Sequence, residues 1–292
     1  MKEIVDELKI FKKQLAKILK LMNTYAKIKE NPIDNAYILE KTLGDIERTT
    51  TTLPKSELTQ SITAWLKQEK EAVAKVKEEF RFTFGKELKK LLEKDGKQLR
   101  GQYPLLRIGV FTLKLDFEFG NATLFFGPEI EKLKSNIQLQ TNAICRELKK
   151  FDDMLQKKQF NAEDMLTNLH QSYKRRLSLT NKAFGEKILI TEVLEEFVIL
   201  KQSKKFFIDP KRENYQEYPR IILSYLLYRL KKSHADQQGM RLHVATFDAT
   251  VDKLRAIWVP ENEEGEGTYY SYISFEKTDK GKAPAGFAKE NG

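Results

Sequence analysis

The chain has 292 residues, with 52 lysines and arginines against 42 acidic side chains, and a single cysteine. Its net charge of +10 permits a polyanionic partner, and the lone Cys145 excludes an intramolecular disulfide and suits a reducing compartment. No stretch approaches the roughly 20 apolar residues that cross a bilayer, and the charged start has no signal-peptide pattern, so the sequence predicts a soluble, cytoplasmic protein.

The first predicted element is a helix. Ile4, Leu8, Phe11, Leu15, Ile18, Met22 and Tyr25 alternate spacings of four and three, a strict heptad seam. So narrow a stripe predicts pairing with one or two neighbouring helices. The run "NPID" stops it. Asn31 is placed as the cap of a second helix, with Pro32 at its first position and Ala36, Leu39, Leu43 and Ile46 on one face. A long helix follows from Ser56 to Asp95, with Ile62, Trp65, Val73, Val76, Phe80, Phe84, Leu88 and Leu91 at three-or-four spacing. Gly85 predicts a kink or a close approach within it, and Gly96 a left-handed cap.

A β-hairpin is predicted at about 105–127, where "FTLKLDFEFGNATLFFG" alternates apolar and polar residues around a Gly120-Asn121 turn. Phe111, Leu113, Leu115, Phe117 and Phe119 form its apolar face, and Lys114, Asp116 and Glu118 its polar one. A hairpin is marginal by itself, so the apolar face must lean on helices, on another sheet or on a partner. Pro128 opens the next predicted helix, with Ile130, Leu133, Ile137, Ile144, Leu148, Phe151 and Leu155 along its seam. Asn161 caps another helix, which ends at Gly185.

The last third changes character. "KILITEVLEEFVIL" predicts a short strand and a helix, "KKFFIDP" an extended piece, and "YPRIILSYLLYRLKK" a buried helix begun by Pro219. "RLHVATF", "LRAIWV" and "TYYSYISFE" predict an antiparallel meander packed on that helix. The predicted class is therefore α+β and mainly helical. An antiparallel bundle or coiled coil with an inserted hairpin spans residues 1–185, a small α+β domain spans 186–277, and a flexible tail spans 278–292.

Candidate chemistry is sparse. Asp116 and Glu118 share a strand face with Lys114, the pattern of a two-carboxylate metal site and equally of an ordinary wet face. His170, His234 and His243 lack zinc-ligand spacing, and a His243–Asp248 couple lacks a nucleophile motif. No phosphate-binding glycine loop is present, and neither metal nor cofactor is predicted. Three basic clusters are candidates for phosphate contact: Lys86, Lys89 and Lys90; Arg146, Lys149 and Lys150; and Lys174, Arg175 and Arg176. Trp258, Tyr269, Tyr270 and Tyr272 fit the core of a small sheet or a base-stacking surface, and "ENEEGEG" an exposed acidic tip.

The missing catalytic motifs and the regular seam favour a non-catalytic scaffold, an accessory subunit whose seam and C-terminal domain dock on partners, working beside a nucleic-acid-processing ATPase. The second reading is a nucleic-acid-binding protein. It uses the first 180 residues, where 34 basic side chains outnumber 25 acidic ones. The third is a metal-dependent nuclease or hydrolase.

Overall fold

The structure, a computed structural model, describes residues 1–157, 160–233 and 239–276. His234 and the tail expected at 278–292 lie outside the described residues. The fold is α+β and mainly helical, with nine α-helices and nine strands among the described residues. The chain divides into two compact units. One comprises Met1–Phe125 and Lys132–Lys150; the other comprises Phe126–Glu131 and the described residues from Phe151 onward.

The first unit begins with α1 (Lys2–Ile28), α2 (Ala36–Thr50) and α3 (Glu57–Lys94). Ile18 and Tyr25 of α1 join Leu39, Leu43 and Ile46 of α2 and Ile62, Leu66 and Val73 of α3 in one apolar cluster. Asn35, not Asn31, stands at the N-cap of α2, because "NPID" folds as a turn first. Ser56 opens α3 as expected, its hydroxyl accepting from Thr59 N at 3.3 Å while Ser56 N donates to the Thr59 hydroxyl at 2.9 Å. Gly96, at φ +69°, follows its end. Helix α3 runs through Gly85 unbroken. The glycine serves close packing, since a Cβ there would lie 2.7 Å from the Tyr103 hydroxyl.

The predicted hairpin is part of something larger. Strands β1 (Leu99–Gln102), β2 (Leu105–Ile108), β3 (Phe111–Asp116), β4 (Asn121–Phe126) and β5 (Glu131–Gln138) form a five-stranded sheet in sequence order. Residues 131–138 are therefore strand, not the start of the helix expected from Pro128. Three apolar residues at helical spacing were too few to decide, and pairing with β4 prevails. Helix α4 (Thr141–Lys157) begins only after this strand.

The second unit takes α5 (Ala162–Thr180), which the sequence placed with the helical body. Its N-cap is Asn161, whose side chain accepts from Asp164 N at 2.9 Å. Its C-cap is Asn181 in the left-handed region rather than Gly185. Then come β6 (Ile188–Leu189), α6 (Ile190–Leu200), α7 (Lys204–Ile208), α8 (Arg220–Lys232), β7 (Met240–Val244), α9 (Phe247–Thr250), β8 (Ile257–Pro260) and β9 (Gly267–Phe275). The predicted extended piece "KKFFIDP" is helix α7, started by the Ser203 side chain capping Phe206 N. Helix α8 is buried nearly all round, as its composition requires.

The three late strands do not form a simple meander. Strand β9 is central and antiparallel to all its neighbours, with β7 on one edge and β6 on the other. Strand β8 also pairs β9. Tyr270 is opposed by Val244 of β7 and by Ile257 of β8, so those two strands lie on opposite edges.

Candidate functional site

The α1 seam divides into two halves. Ile18 and Tyr25 are each 3% exposed and packed in the three-helix cluster, with Phe11, Leu15 and Met22 partly covered beside them. Ile4 and Leu8, on the same seam, are 63% and 60% exposed. The physical reason is length. Gln14 of α1 donates to Thr52, just past the end of α2, at 3.0 Å, so the first three turns of α1 extend beyond α2. At the other end the Tyr25 hydroxyl donates to Glu69 at 2.6 Å, and Lys29 reaches the same carboxylate at 2.7 Å. Burial and that carboxylate together raise the Tyr25 pKa.

The hairpin leans on its own chain. Phe111, Leu113 and Leu115 are buried. Phe117 stacks edge-on against Tyr103 and Phe84, with ring centroids 5.1 and 6.3 Å away, and its carbonyl accepts from the Tyr37 hydroxyl at 2.8 Å. Phe119, expected on the same apolar face, is 74% exposed because it falls in the turn Phe117–Gly120 and not on the strand. The turn is therefore not the two-residue Gly120-Asn121 loop. Asp116 builds it, one carboxylate oxygen accepting from Glu118 N at 3.0 Å and Phe119 N at 2.9 Å. The carboxylate that looked like a metal ligand closes a turn, and no cluster of three potential ligands occurs among the described residues.

The basic clusters fall on three helices, two in the first unit and one in the second. Lys86, Lys89 and Lys90 are exposed on α3, with Lys89 3.8 Å from Glu93, and Arg146, Lys149 and Lys150 are exposed on α4. In the third cluster Lys174 is exposed. Arg175 lies 3.3 Å from Glu196, and Arg176 lies 3.0 Å from Glu192 and 3.8 Å from Glu196, so both arginines serve the packing of α5 on α6.

The histidines are structural in their contacts. His170 sits between the Phe184 and Phe275 rings, and burial together with the nearby Lys174 lowers its pKa. The His243 ring lies 2.8 Å from the Ser274 hydroxyl, and burial, Lys187 and Arg241 lower its pKa. Cys145 is half-buried with its thiol pKa raised by burial, the opposite of an activated nucleophile. Trp258 and Tyr270 are buried.

The acidic loop is held within its own unit. Glu261 accepts from Lys231 and from the Tyr270 hydroxyl, each at 2.6 Å, and Lys231 also reaches that hydroxyl at 2.6 Å. Glu263 pairs with Lys232. These contacts depress the Glu261 pKa despite its burial. Sequence reasoning missed this three-way contact. Its one legible signal was the basic end of α8, "RLKK", opposite in sign to "ENEEGEG".

Sheet register adds one grouping that no local spacing reveals. His243 opposes Tyr272, which also opposes Leu189, and Arg241 opposes Ser274. These side chains share one face by alternation, and Lys187 continues the β6 column on it. Lys187 and Arg241 are exposed, while Tyr272 and His243 are half-buried. No known protein family, curated protein or solved structure matches the chain. No helix among the described residues is long and apolar enough to cross a membrane.

Proposed function

We propose that the protein is a non-catalytic scaffold or accessory subunit of a multiprotein complex, in which the free end of the α1 seam pairs with a helix of a partner in coiled-coil fashion. The observation that carries this reading is the split in one regular seam, buried at Ile18 and Tyr25 yet open at Ile4 and Leu8. A heptad pattern maintained past the end of its internal partner has no folding role there, because apolar side chains left in water contribute little to stability. Coiled-coil pairing covers them. The experiment is co-purification of the tagged protein from its own cells, compared with Ile4→Glu/Leu8→Glu. The expected result is a stoichiometric partner that the double variant loses while its circular dichroism is unchanged. A partner retained by the folded double variant refutes the seam as the docking surface.

A further inference from the structure

We propose that the face of the second unit's sheet that carries Tyr272 of β9 binds single-stranded nucleic acid. Tyr272 lies on the central strand, with His243 on one side and Leu189 on the other. In the adjoining row Arg241 opposes Ser274, and Lys187, the residue just before β6, falls on the same face by alternation. A half-buried aromatic ring therefore shares a sheet face with two exposed cations.

The two cations on this face suit an anion. Both Lys187 and Arg241 lie near enough to the His243 ring to disfavour its protonation. Arg241 pairs with Glu276, but both side chains are more than half exposed, and such a pair contributes little and yields readily to phosphate. The His243 ring is neutral near pH 7 and presents a flat surface without a third charge. Flat rings flanked by cations suit a strand whose bases are free to stack and whose phosphates follow the cations. Duplex nucleic acid keeps its bases stacked inside and offers the phosphates alone, which makes single-stranded nucleic acid the favoured occupant.

The test is fluorescence anisotropy of the whole protein with a labelled oligothymidylate of about 12 nucleotides, titrated across salt concentrations. Binding is expected at low salt and should weaken steeply as salt rises. Tyr272→Leu, which keeps an apolar side chain without a ring, should weaken it by about tenfold, and Tyr272→Phe should not. Lys187→Glu changes an exposed side chain and should both weaken binding and flatten its salt dependence. Absence of binding at about 20 mM salt overturns the proposal. So does equal affinity for a duplex of the same length, or unchanged affinity in folded Tyr272→Leu. If Tyr272→Leu fails to fold, unchanged affinity and salt dependence in Lys187→Glu overturn it instead.

Discussion

Truncating the α1 seam at its two halves should give very different costs. Ile18→Ala removes three carbons from a side chain that is 3% exposed. At roughly 0.8 kcal/mol per buried carbon, plus the cavity left behind, the loss is about 3 kcal/mol. Leu8→Ala removes as many carbons from a side chain that is 60% exposed. The remaining contact is worth at most about 1 kcal/mol. The assay is urea denaturation followed by tryptophan fluorescence. Trp65 packs beside the three-helix cluster and Trp258 lies in the second unit, so a Trp258→Phe background leaves Trp65 as the only tryptophan reporter. With an m-value near 2 kcal/mol/M, Ile18→Ala should lower the midpoint by about 1.5 M, and Leu8→Ala by less than about 0.5 M. Equal shifts would refute the division of the seam into a covered half that stabilises the fold and an open half that does not.

Phe84 is fully buried against Phe80 and Phe117, so Phe84→Ala should cost about 4 kcal/mol, whereas Phe119→Ala in the exposed turn should stay within about 0.5 kcal/mol; the same urea titration reads both. Gly267→Ala should destabilise the second unit by about 2 kcal/mol or more, since a Cβ there would overlap the Trp258 ring and approach Val259 O to 2.6 Å; near-ultraviolet circular dichroism of Trp258 reports the loss. His170 and His243 both have folded pKa values below their unfolded ones, so the unfolded chain binds protons first as pH falls. Their contribution is complete above about pH 6.5 and is lost as pH falls from there through the folded values. The urea midpoint should therefore drop with acidification across that window, and His170→Asn with His243→Asn should flatten the decline.

Helices with long apolar periodicity were legible from the sequence: α1, α3 and α8 run close to the predicted limits. Their patterns extend over enough turns to exclude a strand, and Ser56 and Pro219 punctuate them chemically. Strand β5 was not legible, because Ile130, Leu133 and Ile137 mimic a helical stripe while the deciding interaction is pairing within the five-stranded sheet. The hairpin's strands were readable but its turn was not. Asp116 looked like part of a charged face until its carboxylate was seen capping Glu118 N and Phe119 N. The seam of the candidate site was fully visible in the spacing of α1. Its division into covered and open halves depends on where α2 ends, which no periodicity in α1 encodes. The row of Leu189, Tyr272 and His243 depends on register between strands far apart in the chain.

The most direct measurement on the central claim is site-specific photo-cross-linking in the cells that make the protein. A benzoylphenylalanine is placed in turn at positions 4, 8 and 10. Ile10 is the control, because it is 59% exposed yet lies off the seam, on the opposite side of α1 from Leu8. One discrete cross-linked species is expected from positions 4 and 8, absent from position 10. Cross-linking from position 10 alone, or none from positions 4 and 8, would contradict it.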